Sequence, residues 1–175
     1  MSKKQHAVVV DASVARAAGD ATTTSTVSSM SRSCLQAMLD ADLALVTSEE
    51  ILDEWRRHRS RYSGRWLKSM FARKRVQKVQ PPQHARLRRA CAALSPLRRA
   101  DAEKDLHLVE AALGVDQRII SLDDKARALF VGLSVSVKTL VTLHWGHAGT
   151  PACLKWLQAS TPHAKPLQLG ATTRT

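Results

Sequence analysis

Ala7 to Val10, AVVV, is a short apolar run, mostly β-branched, that ends on Asp11; comparable runs recur as LALVT at Leu43 to Thr47, as RIIS at Arg118 to Ser121 and as LSVSV at Leu133 to Val137. Runs this short and this apolar fit strands buried on both faces. Segments with helical spacing lie between them. The Ser48 side chain is placed to cap a helix with Glu49 and Glu50 in its first turn, and that helix carries Ile51, Leu52 and Trp55. Further helices are expected at Ser33 to Leu39, at Ser63 to Gln77, at Gln83 to Leu94, after Pro96 up to Gly114, at Asp124 to Phe130 and at Thr150 to Ala159. ATTTSTVSSMS, Ala21 to Ser31, reads as a Ser/Thr-rich mobile loop. Strands and helices in alternation predict an α/β fold, a three-layer α/β/α sandwich with a mostly parallel sheet.

With 175 residues, 44% of them hydrophobic and 24% charged, the chain is long enough for one domain with a proper core. The expected organisation is a single domain over 1–175, with a basic helical insertion on top at about 55–100 and a C-terminal extension after about 140. The charge is uneven. Trp55 to Ala100 holds 15 Lys or Arg and no acid, whereas the remainder holds 12 bases and all 15 acids. Such a block reads as an electrostatic footprint for a polyanion, or as a solvated helical face. The residues expected to contact nucleic acid are Arg56, Arg57, Arg61, Arg65, Lys68, Arg73, Lys74 and Arg75.

Cys34, Cys91 and Cys153 are odd in number and lack metal-ligand spacing, which fits reduced thiols in the cytoplasm. Lys3 and Lys4 precede an apolar run too short for a signal peptide, and no run reaches membrane-spanning length, so no membrane partner is expected. No phosphate-binding loop, dinucleotide glycine pattern or nucleophile elbow is present, which argues against those enzyme classes. His144 and His147 in HWGH lack a second close ligand pair and read as a loop.

Functional groups of parallel sheets gather at the carboxyl ends of the strands. Asp11 and Asp123 follow strands at that edge, Glu54 lies two turns into the helix after the second strand, and Asp105 lies in the helix before the third. Each acid also has an ordinary local role open to it: a cap, a helix-dipole partner or an ion pair with Arg57 or His58. Together, four converging carboxylates cannot all stay ionised without a cation, and an oxygen-only set suits Mg²⁺ or Mn²⁺. Asp101 and Asp105 share a helix face; Asp101 is expected as the cap and Asp105 as the ligand. Asp124 either assists Asp123 or caps the next helix. His107, two residues from Asp105, is expected on another face in a structural role.

VVVDAS, SEEILDEW, KDLHLVEAAL and IISLDD, in this order, resemble the acidic motifs of PIN-domain nucleases. The resemblance covers about the first three quarters of the chain. It implies a compact α/β/α domain whose acids, here Asp11, Glu54, Asp105 and Asp123, bind Mg²⁺ or Mn²⁺ and cleave RNA phosphodiesters, with Ser13 and Ser121 at the hydroxyl positions. Glu54 is preferred over its i−4 neighbour Glu50 because it stands six residues beyond Ser48, as the family pattern suggests. The Ser/Thr-rich loop, the basic insertion and the tail after Thr139 depart from that pattern. Many bacterial PIN domains are toxins of toxin-antitoxin pairs, the VapC-like type, which brings in an antitoxin protein as a partner option beside single-stranded or structured RNA and a homodimer. The rivals are a PIN-like module that binds nucleic acid without cutting it, and a docking module that offers the basic block to an acidic protein.

Overall fold

Val8, Val9 and Val10 are fully buried, and the strand they form is the middle of a five-stranded sheet. The structure is a computed structural model and describes residues 5–173; Lys3 and Lys4 lie outside the described residues. In chain order the elements are β1 (Ala7–Val10), α1 (Ala12–Ala17), α2 (Thr26–Asp40), β2 (Ala44–Thr47), α3 (Glu49–His58), α4 (Arg61–Ala72), β3 (Val76–Lys78), α5 (Ala85–Ala92), α6 (Pro96–Leu113), β4 (Arg118–Ser121), α7 (Asp124–Ser134), β5 (His144–His147) and α8 (Pro151–Gln158). The sheet order is β3-β2-β1-β4-β5 and every pairing is parallel. α2 packs against α4 and α8, while α6 packs against α5, α7, β1 and β4, in keeping with a three-layer α/β/α sandwich. No described helix is long and apolar enough to cross a membrane.

This order has a consequence for function. The chain steps outward from β1 to β2 and β3, then returns to β1's other side with β4, so the sheet's topological switch lies between β1 and β4. A crevice opens beyond the carboxyl ends of the two strands at such a point.

Several elements differ from the sequence reading. LSVSV is no strand: α7 runs on to Ser134, keeping Phe130 and Leu133 inside and leaving Val135 61% exposed. The place beside β4 goes instead to HWGH, whose residues pair with Arg118 to Ser121. Gly146 is required there, because a Cβ would sit 2.8 Å from the Cys153 sulfur of α8. His144 and His147, three apart on a strand, project to opposite faces. Helix α2 starts inside the Ser/Thr-rich segment, at Thr26, because the Ser25 hydroxyl caps it by accepting from the Ser28 N–H. Helix α6 starts at Pro96, whose fixed φ suits the first helical position, so Asp101 is an interior residue rather than the cap and pairs with Lys104 at 3.5 Å.

The basic segment is not an appendage. Lys74 adopts φ 56°, which ends α4 and turns the chain into β3, and β3 pairs with β2 at the sheet edge. Trp66, Leu67 and Met70 of α4 are core residues, and the Trp66 indole donates to the Leu35 carbonyl at 2.6 Å. The segment after Thr139 likewise contributes β5 and α8 to the sandwich. Cys34, Cys91 and Cys153 are free and buried.

Glu110 of α6, only 3% exposed, ties the connection after β3 to this frame. It accepts from Arg88 through both oxygens at 2.8 and 2.7 Å and from the His84 N–H at 2.8 Å. Burial raises its pKa, but these donors outweigh that and hold the carboxyl below its ordinary value. Glu110→Ala is expected to lose about 2–3 kcal/mol in urea unfolding, since it strands a guanidinium and a backbone donor together. An unchanged midpoint would show that the clamp contributes nothing to folding.

Candidate active site

The strand-to-helix turn after β1 leaves Asp11 at the switch point, 8% exposed. Its backbone N–H donates to the Ile120 carbonyl at 3.0 Å, and its side chain caps α1 by accepting from the Ser13 N–H at 3.3 Å. Oδ2 also accepts the Ser13 hydroxyl at 2.5 Å and the Ser121 hydroxyl at 2.6 Å. Each hydroxyl in turn accepts from the turn after β4: Ser13 Oγ from Leu122 N–H at 3.1 Å and Ser121 Oγ from Asp123 N–H at 3.0 Å. The two hydroxyls thus fasten the β4–α7 turn to the Asp11 carboxylate. Asp123 caps α7, accepting from Ala126 N–H at 2.8 Å, and its residue is exposed toward the crevice mouth. For Asp11 and Asp123 the local capping role and the position in the cluster therefore coexist.

Trp55 brings the second strand's helix to the same place. Its indole donates to the Val10 carbonyl at 2.9 Å, next to Asp11, and its ring stacks on Trp66 with centroids 5.7 Å apart. With α3 pinned there, Glu54 meets His107 of α6, Oε2 to Nε2 at 3.2 Å. Glu50 reaches the same ring less closely, 3.9 Å from Nδ1, and is 68% exposed against 26% for Glu54. His107, which spacing alone had assigned to another face, thus contacts Glu54 more closely than Glu50. His107 is 6% exposed and its Nδ1 has no hydrogen-bond partner. Burial lowers its pKa, yet the Glu54 hydrogen bond and the charges of Glu54, Glu50 and Asp105 prevail and the net shift is upward.

Asp105 stands among these acids. Its pKa is pushed up to about 7, first by burial and then by the charges of Asp11 and Asp123, with Glu54 adding a smaller push and His107 opposing. Asp105 therefore feels the other three acids. Among the described residues, though, no three His, Cys, Asp or Glu side chains are grouped so as to hold a metal ion. The two findings are compatible: a charge acts across many ångströms in a desolvated crevice, whereas coordination requires oxygens at about 2.1 Å from the ion. The acids that act on Asp105 offer oxygen donors, the kind a hard divalent ion such as Mg²⁺ or Mn²⁺ takes.

Asp124 is exposed in the first turn of α7, with its Oδ2 3.7 Å from His147 Nε2, so HWGH delivers a histidine to the rim of the crevice. Two cations not anticipated from the sequence also reach this rim. Arg16 of α1 and Lys125 of α7 line a groove of about 400 Å³ together with Ser13, Ala17, Leu122, Asp123 and Asp124. The spacing of Ser13, Arg16 and Ala17 on one helix face was the only available signal.

The expected nucleic-acid contacts divide. Arg56 pairs with Asp53 and Glu49, and Arg75 pairs with Asp42 while donating to the Leu39 carbonyl at 2.8 Å, which ties it into the fold. Arg57 donates to the Asp53 carbonyl at 3.3 Å. Arg61, Arg65 and Lys68 are exposed at i, i+4 and i+7 along one face of α4, and Arg73 and Lys74 are exposed in the turn that follows. No protein-family model, no curated protein and no solved structure matches this chain.

Proposed function

We propose that this chain is a metal-dependent ribonuclease of the PIN type, acting on RNA phosphodiester bonds. The observation that carries the reading is Asp105, pushed up to about 7 by burial and by the charges of Asp11, Asp123 and, less, Glu54, beside the switch between β1 and β4. Asp11, Asp105 and Asp123 would hold a Mg²⁺ or Mn²⁺ ion, with Glu54 at the edge of the set. Such an ion, when bound, neutralises charge on phosphate oxygens and lowers the pKa of a water. Ser13 and Ser121 keep the Asp11 carboxylate oriented by donating to Oδ2. The Asp105 carboxyl, pushed up to about 7 in the metal-free protein, would have to give up its proton to hold the ion. His107 holds Glu54 on the cluster side of α3 through Nε2.

The exposed stripe of Arg61, Arg65 and Lys68 suits the RNA backbone, since unpaired cations on one helix face release counterions when they meet phosphates. Reversing all three to Glu should weaken binding of single-stranded RNA by at least about tenfold at moderate salt and flatten the salt dependence of affinity. An unchanged slope would reduce the stripe to a solvated face. An antitoxin partner belongs to this proposal as an expectation carried by the family resemblance, cytoplasmic action as one carried by the scattered cysteines and the short first apolar run, and a homodimer as a further partner option.

A second reading, a PIN-like module that grips nucleic acid without cutting, is favoured by the absence of a ready-made three-acid ion group among the described residues. One experiment separates the two. Purified protein is incubated with single-stranded RNA and Mn²⁺, with and without EDTA. Cleavage only without EDTA supports the nuclease; binding with no cleavage in either tube supports the module and defeats the nuclease.

A further inference from the structure

Arg16 and Lys125 are exposed, and neither side chain is engaged by a hydrogen bond or ion pair among the described residues, although Asp123 and Asp124 line the same groove. Cations left unpaired beside acids are available to an outside anion. The groove they line, about 400 Å³, has a mixed wall: Ala17 and Leu122 are apolar, and the Ser13 hydroxyl is already committed to Asp11 and to the Leu122 N–H. It sits directly against the acidic cluster through Asp123. Its size is at the low end for a small-molecule site, enough for a single nucleotide and far too small for a duplex.

We infer that this groove is a subsite for one nucleotide of single-stranded RNA adjoining the bond to be cut, with Arg16 and Lys125 gripping that nucleotide's phosphate and Ala17 and Leu122 supporting its sugar or base. The inference rests on the ribonuclease reading. A guanidinium presents two parallel donors that match a phosphate's oxygens, and an ammonium opposite supplies a second charge without fixing geometry. Asp123 and Asp124, beside Lys125 on the α7 side of the groove, repel the same phosphate, so it settles toward Arg16 on the α1 side. The helix that carries the basic stripe is fastened to α1 as well. Ala15, one residue before Arg16, accepts from Ser60 N–H at 3.2 Å and from the Ser63 hydroxyl at 2.8 Å, which brings the first turn of α4, with Arg61, alongside the end of α1.

The test uses the full chain carrying Arg16→Ala and Lys125→Ala together, a labelled single-stranded oligoribonucleotide, and two readouts. In EDTA, affinity is measured across a salt series; with Mn²⁺, kcat/KM is measured on the full oligonucleotide and on oligonucleotides shortened from either end up to the cut bond. The double variant is expected to lose about 0.7 from the salt slope, the share of the one phosphate that both cations grip on a single strand, and 10- to 100-fold in kcat/KM. Shortening from one end, and not from the other, should erase the difference between variant and wild type, which a general loss of charge or of folding would not do. The Mn²⁺-induced rise in melting temperature should stay at its wild-type size, and Arg16→Lys should restore part of the rate. An active wild type whose double variant keeps the slope and the rate overturns the subsite while leaving the nuclease reading intact. A wild type that cuts no RNA defeats the nuclease reading; the slope in EDTA then decides the groove alone, a loss supporting it as a phosphate site and no loss overturning it.

Discussion

Purified Asp11→Asn is expected to lose Mn²⁺-dependent RNA cleavage by about 10³-fold or more while keeping its fold and its affinity for RNA in EDTA. The rate loss follows from removing one charged oxygen donor from the cation's surroundings, where several kcal/mol of transition-state stabilisation are at stake and each 1.4 kcal/mol is about tenfold. The fold survives because asparagine caps a helix about as well as aspartate: its oxygen keeps the Ser13 N–H, and its NH2 at the Oδ2 position donates to the hydroxyls of Ser13 and Ser121 instead of accepting from them. In EDTA the variant should melt at the wild-type temperature or higher, since one charge has left a cluster that repels itself. Asp11→Ala behaves differently: it removes the cap and strands the hydroxyls of Ser13 and Ser121, costing about 1–2 kcal/mol. Mn²⁺ should raise the melting temperature of the wild type by mass action and that of Asp11→Asn much less. If Asp11→Asn melts lower in EDTA yet gains as much from Mn²⁺ as the wild type, Asp11 is a structural cap and the site lies elsewhere.

Without metal, the stability of the wild type should fall as pH rises from about 4 to about 7. Asp105 has its folded pKa raised from 3.8 to about 7, so the native state holds a proton that the unfolded chain gives up. The resulting stability is fully present below the unfolded value and is lost as pH climbs through the folded one. The shift sets an upper bound of about 4 kcal/mol, at 1.36 kcal/mol per unit, reduced by solvent screening and by sharing of protons among the four acids. His107, raised by Glu54 against its burial, acts in the same direction at somewhat higher pH. Glu110 and Asp116, both lowered despite burial, act oppositely: their contribution is present above the ordinary carboxylate range and lost in acid. The metal-free melting curve should therefore peak near pH 5. Asp105→Asn should remove most of the fall toward neutrality, and saturating Mn²⁺ should do the same for the wild type, because a bound cation replaces the proton. A wild type and an Asp105→Asn variant that fall in parallel between pH 5 and 7 would show that Asp105 is not the buried, crowded acid described above.

Local chemistry carried much of the architecture. AVVV, ALVT and RIIS have too few polar positions to face water, so they had to be interior strands, and Ser48 could cap only the helix that begins beside it. Asp11 and Asp123 follow directly from this, since a residue that ends a buried parallel strand, or follows one within two positions, emerges at the functional edge. β3 was hidden because an edge strand of three residues, half-exposed or exposed, carries almost no apolar signal and here sits among arginines and lysines. LSVSV misled through its alternation: a period of two is also met by a helix end that buries Leu133 and by a following loop that buries Val137.

The sequence by itself determined those properties that a few neighbouring residues settle: burial of the strand runs, the Ser48 cap, the position of the carboxyl edge and the concentration of positive charge. Tertiary structure alone decided which distant groups meet. Ser121 reaches Asp11 across 110 positions, and His107 selects Glu54 over Glu50 across 53. HWGH becomes a strand because β4 offers it a free edge and Cys153 leaves room only for glycine. Arg75 is drawn off to Asp42 while Arg16 and Lys125 are left free at the groove. The physical reason is one of range: backbone preference and capping act over a turn of helix or a strand's width, whereas a carboxylate's partners and charge environment depend on every element that the fold brings within a few ångströms of it.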